Sequence, residues 1–435
     1  MKLKSKYSTA IIWSILWLLF SLIFAIPWIG EISRYVPLWL AWFCVTGMAL
    51  IPGVAMAFVN SSLLMDKRPK YDNNNKKLPP ISIIVAAYNE EDTIVKTLNS
   101  ILDQEYYNYI DVIVANDGST DNTKEVVLEF IKSKSMVNIQ IALCDVSVNI
   151  GKAGVLNIAL EKTKYDYVLT IDADSELHPG ALKSIVTKMI NKDDTYAAVA
   201  GSILCKNYND SFVTKLQDWD YLLGISAVKR IQSMYKGTLV AQGAFSIYKK
   251  SVLEEVGGWP DKIGEDIVLS WSILNAGYYI DHCEQAICWT NVPTTYKIFY
   301  RQRKRWARGL IEAFRMYPNL LFRREMFTFF IWYNLMFPYI DLTFLFAFVP
   351  GVLIALIFGF HLLAGYITLY LLPITFIYSF IILRIQKRDL KKSNISMLNK
   401  NVSYILYMFL YQFIMTPATL SGYLSELFKR KRVWK

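Results

Sequence analysis

The chain has 435 residues, 54% of them hydrophobic, and a formal net charge of +11. It is long enough for a full α/β domain plus membrane segments, and its apolar content excludes a single small soluble domain; the Lys and Arg gather beside apolar stretches, at 2–6, 67–77, 384–392 and 429–435, which argues for cytoplasmic membrane flanks and against a nucleic-acid partner. Five cysteines without paired short spacings and only three histidines argue against a structural zinc site, and point to reduced, buried thiols in a reducing compartment.

Residues 10–29 and 35–65 are uncharged, and each can cross a hydrocarbon core that needs about 20 apolar residues. They predict a helical hairpin over 1–66 with both ends cytoplasmic, since basic residues flank it on each side. A cleaved signal peptide is the alternative for the first stretch; it lacks a clear small-residue cleavage site, and the second apolar stretch follows at once. Residues 67–80 are a polar, Asn-rich linker ending in Pro79 and Pro80, so a domain begins at Ile81. The short apolar runs 81–86, 111–115 and 167–171 suit buried parallel strands, and the helical patterns 91–102 and 122–132 separate them, with further helices at 157–164 and 181–191. This alternation predicts an α/β fold with an open, mostly parallel sheet over 81–310, binding ligands beyond the carboxyl ends of its strands. Residues 311–325 have the mixed charged and apolar character of an interfacial helix. Beyond it, 326–383 carries Asp341 as its one formal charge and holds two or three spans, and the uncharged 401–425 holds one. The basic stretches 384–392 and 429–435 cannot both be cytoplasmic if one span separates them, so either the last stretch is re-entrant or the charge rule fails at one end.

The first polar cluster is Ala87-Tyr88-Asn89-Glu90-Glu91 with Asn116-Asp117-Gly118-Ser119-Thr120-Asp121, each at a predicted strand end. Strand ends offer side chains and free N–H groups to a nucleotide; an Asx turn with a helix cap explains the same residues without a ligand. In Asp172-Ala173-Asp174 the carboxylates lie one residue apart after an apolar strand, so in an extended chain they share a face and can converge on one Mg²⁺ or Mn²⁺, where the alternative is a solvated turn. Lys152, in a glycine-containing loop at 149–154, can approach a diphosphate or simply face solvent. Glu265 and Asp266 precede a helical pattern over 267–276, where Asp266 can serve as a general base and Glu265 can orient the site or cap the helix. In the run 302–306, Arg303 and Arg305 can neutralise a diphosphate, and Trp306 offers a flat face; a basic membrane-surface segment accounts for the same run.

Asp117 in Asp-Gly-Ser, Asp172-Ala-Asp174, Gly264-Glu265-Asp266 and Gln302-Arg-Lys-Arg305-Trp306 occur in the order and approximate spacing of the processive family 2 glycosyltransferases, which the chain resembles from about Ile81 to Arg324 and in its flanking spans. Cellulose, chitin, hyaluronan and poly-N-acetylglucosamine synthases form that group, and the size and span arrangement look most like bacterial poly-β-1,6-N-acetylglucosamine synthases. The resemblance implies a glycosyltransferase A fold, a UDP-sugar donor, inversion at the anomeric carbon, a growing polysaccharide acceptor and a channel through the bilayer; it leaves an accessory membrane subunit open. Carried over, Ala87, Tyr88, Glu90, Asp117, Lys152, Asp172 and Arg305 hold the donor. Asp174, with Asp172, holds the metal, Asp266 is the base beside Glu265, and Gln302 and Trp306 line the acceptor site. The chain departs from the pattern at Gly264, where the family form has Thr, and segment 240–245 matches no single product class. A nonprocessive family 2 enzyme acting on a lipid carrier is the nearest rival. A transporter explains the spans but not the ordered carboxylates, and no paired hydrophobic halves are visible.

Overall fold

The computed structural model describes residues 2–67, 77–134, 137–363, 366–393, 395 and 401–429. Most of the expected linker, 68–76, and the basic tail 430–435 lie outside them. The catalytic-size middle of the chain is one eight-stranded sheet: β1 Ile81–Ala87, β2 Ile110–Asp117, β3 Ile139–Val146, β4 Tyr167–Asp172, β5 Glu176–Leu177, β6 Tyr196–Cys205, β7 Phe245–Lys249 and β8 Tyr279–Thr290, in the order β3-β2-β1-β4-β7-β6-β8-β5. The first four run parallel and β8 is parallel to β6, whereas β7 is antiparallel to both β4 and β6, and β5 to β8, so the mostly parallel sheet is mixed. The apolar runs are continuous because helices cover both faces. On β1, Ile81, Ile83 and Val85 meet Ile94, Leu98 and Ile101 of the Ile94–Leu102 helix, while Ile84 packs on the opposite face with Leu156 and Leu160 of the Lys152–Lys162 helix.

Three helices among the described residues are long and apolar enough to cross a membrane: Leu3–Ile32, Leu38–Leu64 and Thr328–Phe358. The second and third each contain a π-helical turn, Thr46–Leu50 and Phe344–Phe348. The Tyr366–Lys392 helix follows, and its charged end rests on the sheet domain, where Gln386 Nε2 donates to Leu222 O at 3.1 Å and Asp389 pairs with Arg230. Arg230 also pairs with Asp66 at 2.6 Å, at the end of the N-terminal hairpin. Residues 311–325 do not form one helix. The Tyr296–Met316 helix runs through Ile311, and a 3-10 turn, Pro318–Phe322, follows the break at Tyr317.

The C-terminal helix, Asn401–Leu427, touches the sheet domain at both ends. Trp219 Nε1 donates to Ser403 Oγ at 3.0 Å, and Arg308 pairs with Glu426 at 3.0 Å. It therefore lies along that domain. At its far end the contact is close: a Cβ on Gly422 would stand 2.5 Å from Lys304 O of the Tyr296–Met316 helix.

Candidate active site

The strand register pairs Ala87 with Asn116 and Ala86 with Asp172, so β1, β2 and β4 end at one level. The chain leaves β1 first toward β2 on one side and later to β4 on the other, which opens a crevice beyond the carboxyl ends. Ala87 is buried at that end and Tyr88 stands exposed beside it. Asn89 takes a left-handed φ of 56°, accepts the Thr120 N–H at 2.8 Å and donates its own N–H to Ser119 Oγ at 3.0 Å, which ties the first two loops together. The Glu90 carboxyl accepts from the Thr93 hydroxyl at 2.5 Å; burial lifts it above the usual carboxylate range, and the charges of Asp174, Asp172 and Asp121 add to the rise. Asp117 is buried and accepts the Ile150 N–H at 2.8 Å, and burial raises its carboxyl against the amide hydrogen bonds of Ile150 and Gly151. Gly118 permits this turn: its φ is +65°, and a Cβ would stand 2.6 Å from Asn149 N.

Lys152 opens its helix with its ammonium bonded to Asp172 and 3.8 Å from Glu265 Oε1. Burial opposes that charge, but Asp172, Glu265 and Asp266 together outweigh it and hold the Lys152 pKa above its ordinary value. Asp174 accepts from Ser175 Oγ at 3.2 Å and Thr290 Oγ1 at 3.3 Å; burial, and then the charge of Asp172, pushes it up to about 6. Among the described residues no group of three or more His, Cys, Asp or Glu gathers in ligand geometry. Two carboxylates at a strand end, one of them destabilised in its charged form by the other, match the way Mg²⁺ or Mn²⁺ is held when substrate phosphates supply the remaining oxygens. Segment 240–245 lies alongside, with Ala244 O accepting the Asp172 N–H at 3.4 Å.

Glu265 and Asp266 begin the Glu265–Ala276 helix on the other side of Lys152. Glu265 is buried, and burial followed by the Asp266 charge pushes it up to about 7 against the pull of Lys152 and Arg305. Asp266 is the more open of the two. Their placement depends on the Tyr296–Met316 helix. Glu312 Oε2 accepts the N–H of Ile263 at 2.9 Å and of Gly264 at 3.3 Å, and a Cβ on Gly264 would come within 2.6 Å of Gly309 Cα. The departure from Thr at position 264 is thus matched by a glycine on the facing helix. Glu312, Gly309 and the buried Lys229, whose ammonium burial depresses to about 7 against the pull of Asp266, were not singled out from the sequence.

The structure separates the two arginines expected at a diphosphate, because residues two apart on a helix point to different sides. Arg305 is exposed, on the side of Glu265. Arg303 is 4% exposed and pairs with Asp220 at 3.0 Å, with its guanidinium 4.2 Å from the centre of the Trp306 ring. Gln302 is half-buried, and its Oε1 has no hydrogen-bond partner among the described residues. Trp306 keeps 39% of its surface exposed and, with Arg303, lines a cavity of about 670 Å³ that continues between the apolar helices. Asp341 lines the same cavity from the Thr328–Phe358 segment, 5% exposed, and accepts from Thr419 Oγ1 at 2.6 Å, Gln412 Nε2 at 3.2 Å and Thr416 Oγ1 at 3.4 Å.

The family model for glycosyl transferase family 2 matches residues 82–257. A poly-β-1,6-N-acetyl-D-glucosamine synthase from Staphylococcus epidermidis is 36% identical over 238 residues, 54% of this chain and 56% of that protein. One from Staphylococcus aureus strain MW2 is 34% identical over 246 residues, 56% and 57% of the two chains. The chain thus spans about half the length of the synthases it matches. A solved mannosyltransferase from Pyrobaculum calidifontis, in complex with GDP-Man and Mn²⁺, superposes with a TM-score of 0.62 at 18% identity, over 89% of this chain and 99% of the other. The mixed sheet is therefore a glycosyltransferase A-like fold, and residues 82–257 within it carry a glycosyl transferase family 2 domain.

Proposed function

We propose that this chain is a membrane-embedded, processive, inverting glycosyltransferase that polymerises UDP-N-acetylglucosamine into a β-linked polysaccharide and passes it across the bilayer. The observation that carries the reading is the cavity of about 670 Å³ with Trp306 and Ile267, the residue after Asp266, at one wall and Asp341 among the apolar helices at another. A hydroxyl-rich polymer needs replacement hydrogen bonds to leave water, and Asp341, Gln412 and Thr419 offer them there. The names of the similar staphylococcal synthases support the sugar.

In this mechanism Ala87, Tyr88, Glu90 and Asp117 form the nucleotide crevice, and Lys152 and Arg305 bring positive charge to the diphosphate. Asp172 and Asp174 hold a divalent cation, which offsets charge on the departing UDP. Asp266 takes the proton from the acceptor hydroxyl as it attacks the anomeric carbon, and Glu265 beside it orients the site. Gln302 and Trp306 receive the acceptor. We further place four spans in the bilayer, Leu3–Ile32, Leu38–Leu64, Thr328–Phe358 and the apolar part of Tyr366–Lys392, with Asn401–Leu427 along the cytoplasmic catalytic domain. This arrangement puts every basic flank on one side, in keeping with the positive-inside tendency.

The test is reconstitution in sealed vesicles with the catalytic domain outward and UDP-N-acetylglucosamine outside. Polymer should collect in the lumen, protected from an added glycosidase. Polymer wholly open to the glycosidase would refute export by this chain alone, and product of one added sugar would refute processivity.

A further inference from the structure

Arg303 is a buried cation that reaches none of the carboxylates around the donor. Its Nη1 pairs with Asp220 at 3.0 Å, and Asp220 opens a π-helical turn, Asp220–Ser226, of the kind that recurs at functional sites. Its guanidinium lies 4.2 Å from the Trp306 ring centre, 5.1 Å from Phe299, 5.9 Å from Tyr221 and 6.0 Å from Tyr411. Nε and Nη2 have no hydrogen-bond partner among the described residues, so ring faces take the place of oxygen acceptors around them. A guanidinium so desolvated stays in place only with its counter-charge. Trp306, by contrast, has no hydrogen bond from its indole N–H among the described residues and stands partly exposed at the cavity wall. Its ring is flanked by the Arg303 guanidinium at 4.2 Å and by the Tyr221 ring at 6.5 Å.

We propose that Asp220 and Arg303 are positioning residues for the acceptor: the ion pair fixes the guanidinium, the guanidinium fixes the plane of Trp306, and that plane receives the terminal sugar ring of the growing saccharide. Tyr221 comes from the same π-helical turn as Asp220, and Tyr411 from the C-terminal helix, so the acceptor plane is set jointly by the catalytic domain and the helix laid along it. The inference rests on the polymerase reading for its ligand. It assigns to Arg303 a place on the acceptor side and none at the diphosphate.

The test uses the full chain in lipid nanodiscs, with a β-linked N-acetylglucosamine tetrasaccharide as acceptor probe and UDP-N-acetylglucosamine as donor. Asp220→Asn removes the counter-charge at constant size, and Arg303→Lys keeps the charge but loses the flat face. By calorimetry each should weaken acceptor binding about tenfold and leave donor binding within about twofold, and each should shorten the polymer. Asp220→Glu, which restores the charge, should recover most of the acceptor affinity. Unchanged acceptor binding in both variants overturns the inference, and so does equal weakening of both ligands, which is what a purely structural ion pair would give. A wild-type chain that binds the tetrasaccharide yet releases no UDP would instead refute the polymerase reading and leave this inference standing.

Discussion

Gly309→Ala perturbs the active site without touching any charge. The new Cβ would stand 2.7 Å from Gly264 Cα and 3.2 Å from Gly264 N, where ordinary contact begins at 3.4 Å, so the two main chains must part by about 0.7 Å. Both obstructing atoms are backbone, and no rotamer change relieves them. Overpacking of this kind costs about 1–3 kcal/mol of stability. Its larger effect falls on the chemistry, because Gly264 leads directly into Glu265 and Asp266, and a shift of about 1 Å in a reacting group can cost roughly 10²-fold in rate. We therefore expect kcat for sugar transfer to fall by about one to two orders of magnitude. Donor affinity should change little, since Asp117 and Asp174 sit on other loops. UDP release with and without acceptor, together with donor binding by calorimetry, separates these effects. Wild-type kcat in a folded Gly309→Ala protein would show that the helix contact does not position the base. Gly264→Thr should fail in the same way, because its Cβ meets Gly309 Cα at 2.6 Å.

Asp174→Asn should abolish donor turnover by removing an anionic ligand of the cation, and full activity in a chelator would refute a metal role. Asp266→Asn should keep donor binding and lose transfer; weak donor binding with a normal rate per bound donor would mean the base is misassigned. Glu265, raised to about 7 in the fold, contributes stability that is complete below its unfolded value and is lost as pH rises through about 7. Glu265→Gln should therefore unfold at a higher temperature than the wild type above pH 7, with the difference fading toward pH 5 in thermal melts, and a pH-independent difference would refute the burial argument. Asp341→Leu should reduce polymer in the vesicle lumen while slow UDP release persists, and unchanged lumenal polymer would place Asp341 outside the export path.

The strand-end position of Asp172 was legible in the sequence because its signal is local: an apolar run says where a strand ends, whereas Asp174 comes beside it through a turn at 173–174 and not through a strand's period of two. The same logic found Asp117, where Asp-Gly carries its own turn chemistry. The antiparallel β7 was not legible, since a buried strand reads the same in either direction and its partners β4 and β6 are fixed by long-range packing. Gly309 and Glu312 gave no signal, as each acts across a helix pair on a residue more than 40 positions away. Arg303 was read from its neighbours in sequence, whereas helix geometry turns it away from Arg305. The contacts of Ser403 and Glu426 that lay the last apolar stretch along the sheet domain had no signal in the sequence, since both partners are far away in the chain.

The Asn401–Leu427 helix also bears on how the enzyme comes into being. Tyr411 completes the ring of aromatics around Arg303, and Gly422 and Glu426 seat the helix against Lys304 and Arg308, yet all three leave the ribosome after the spans that follow Trp306. At roughly 5–20 residues per second, Tyr411 appears about 5–20 s later than the tryptophan it helps to orient. Of the residues proposed for the donor, Arg305 alone lies beyond position 270. Under the proposed function, most of the donor contacts would be in place before the acceptor surface, and elongation would wait until the final helix has docked.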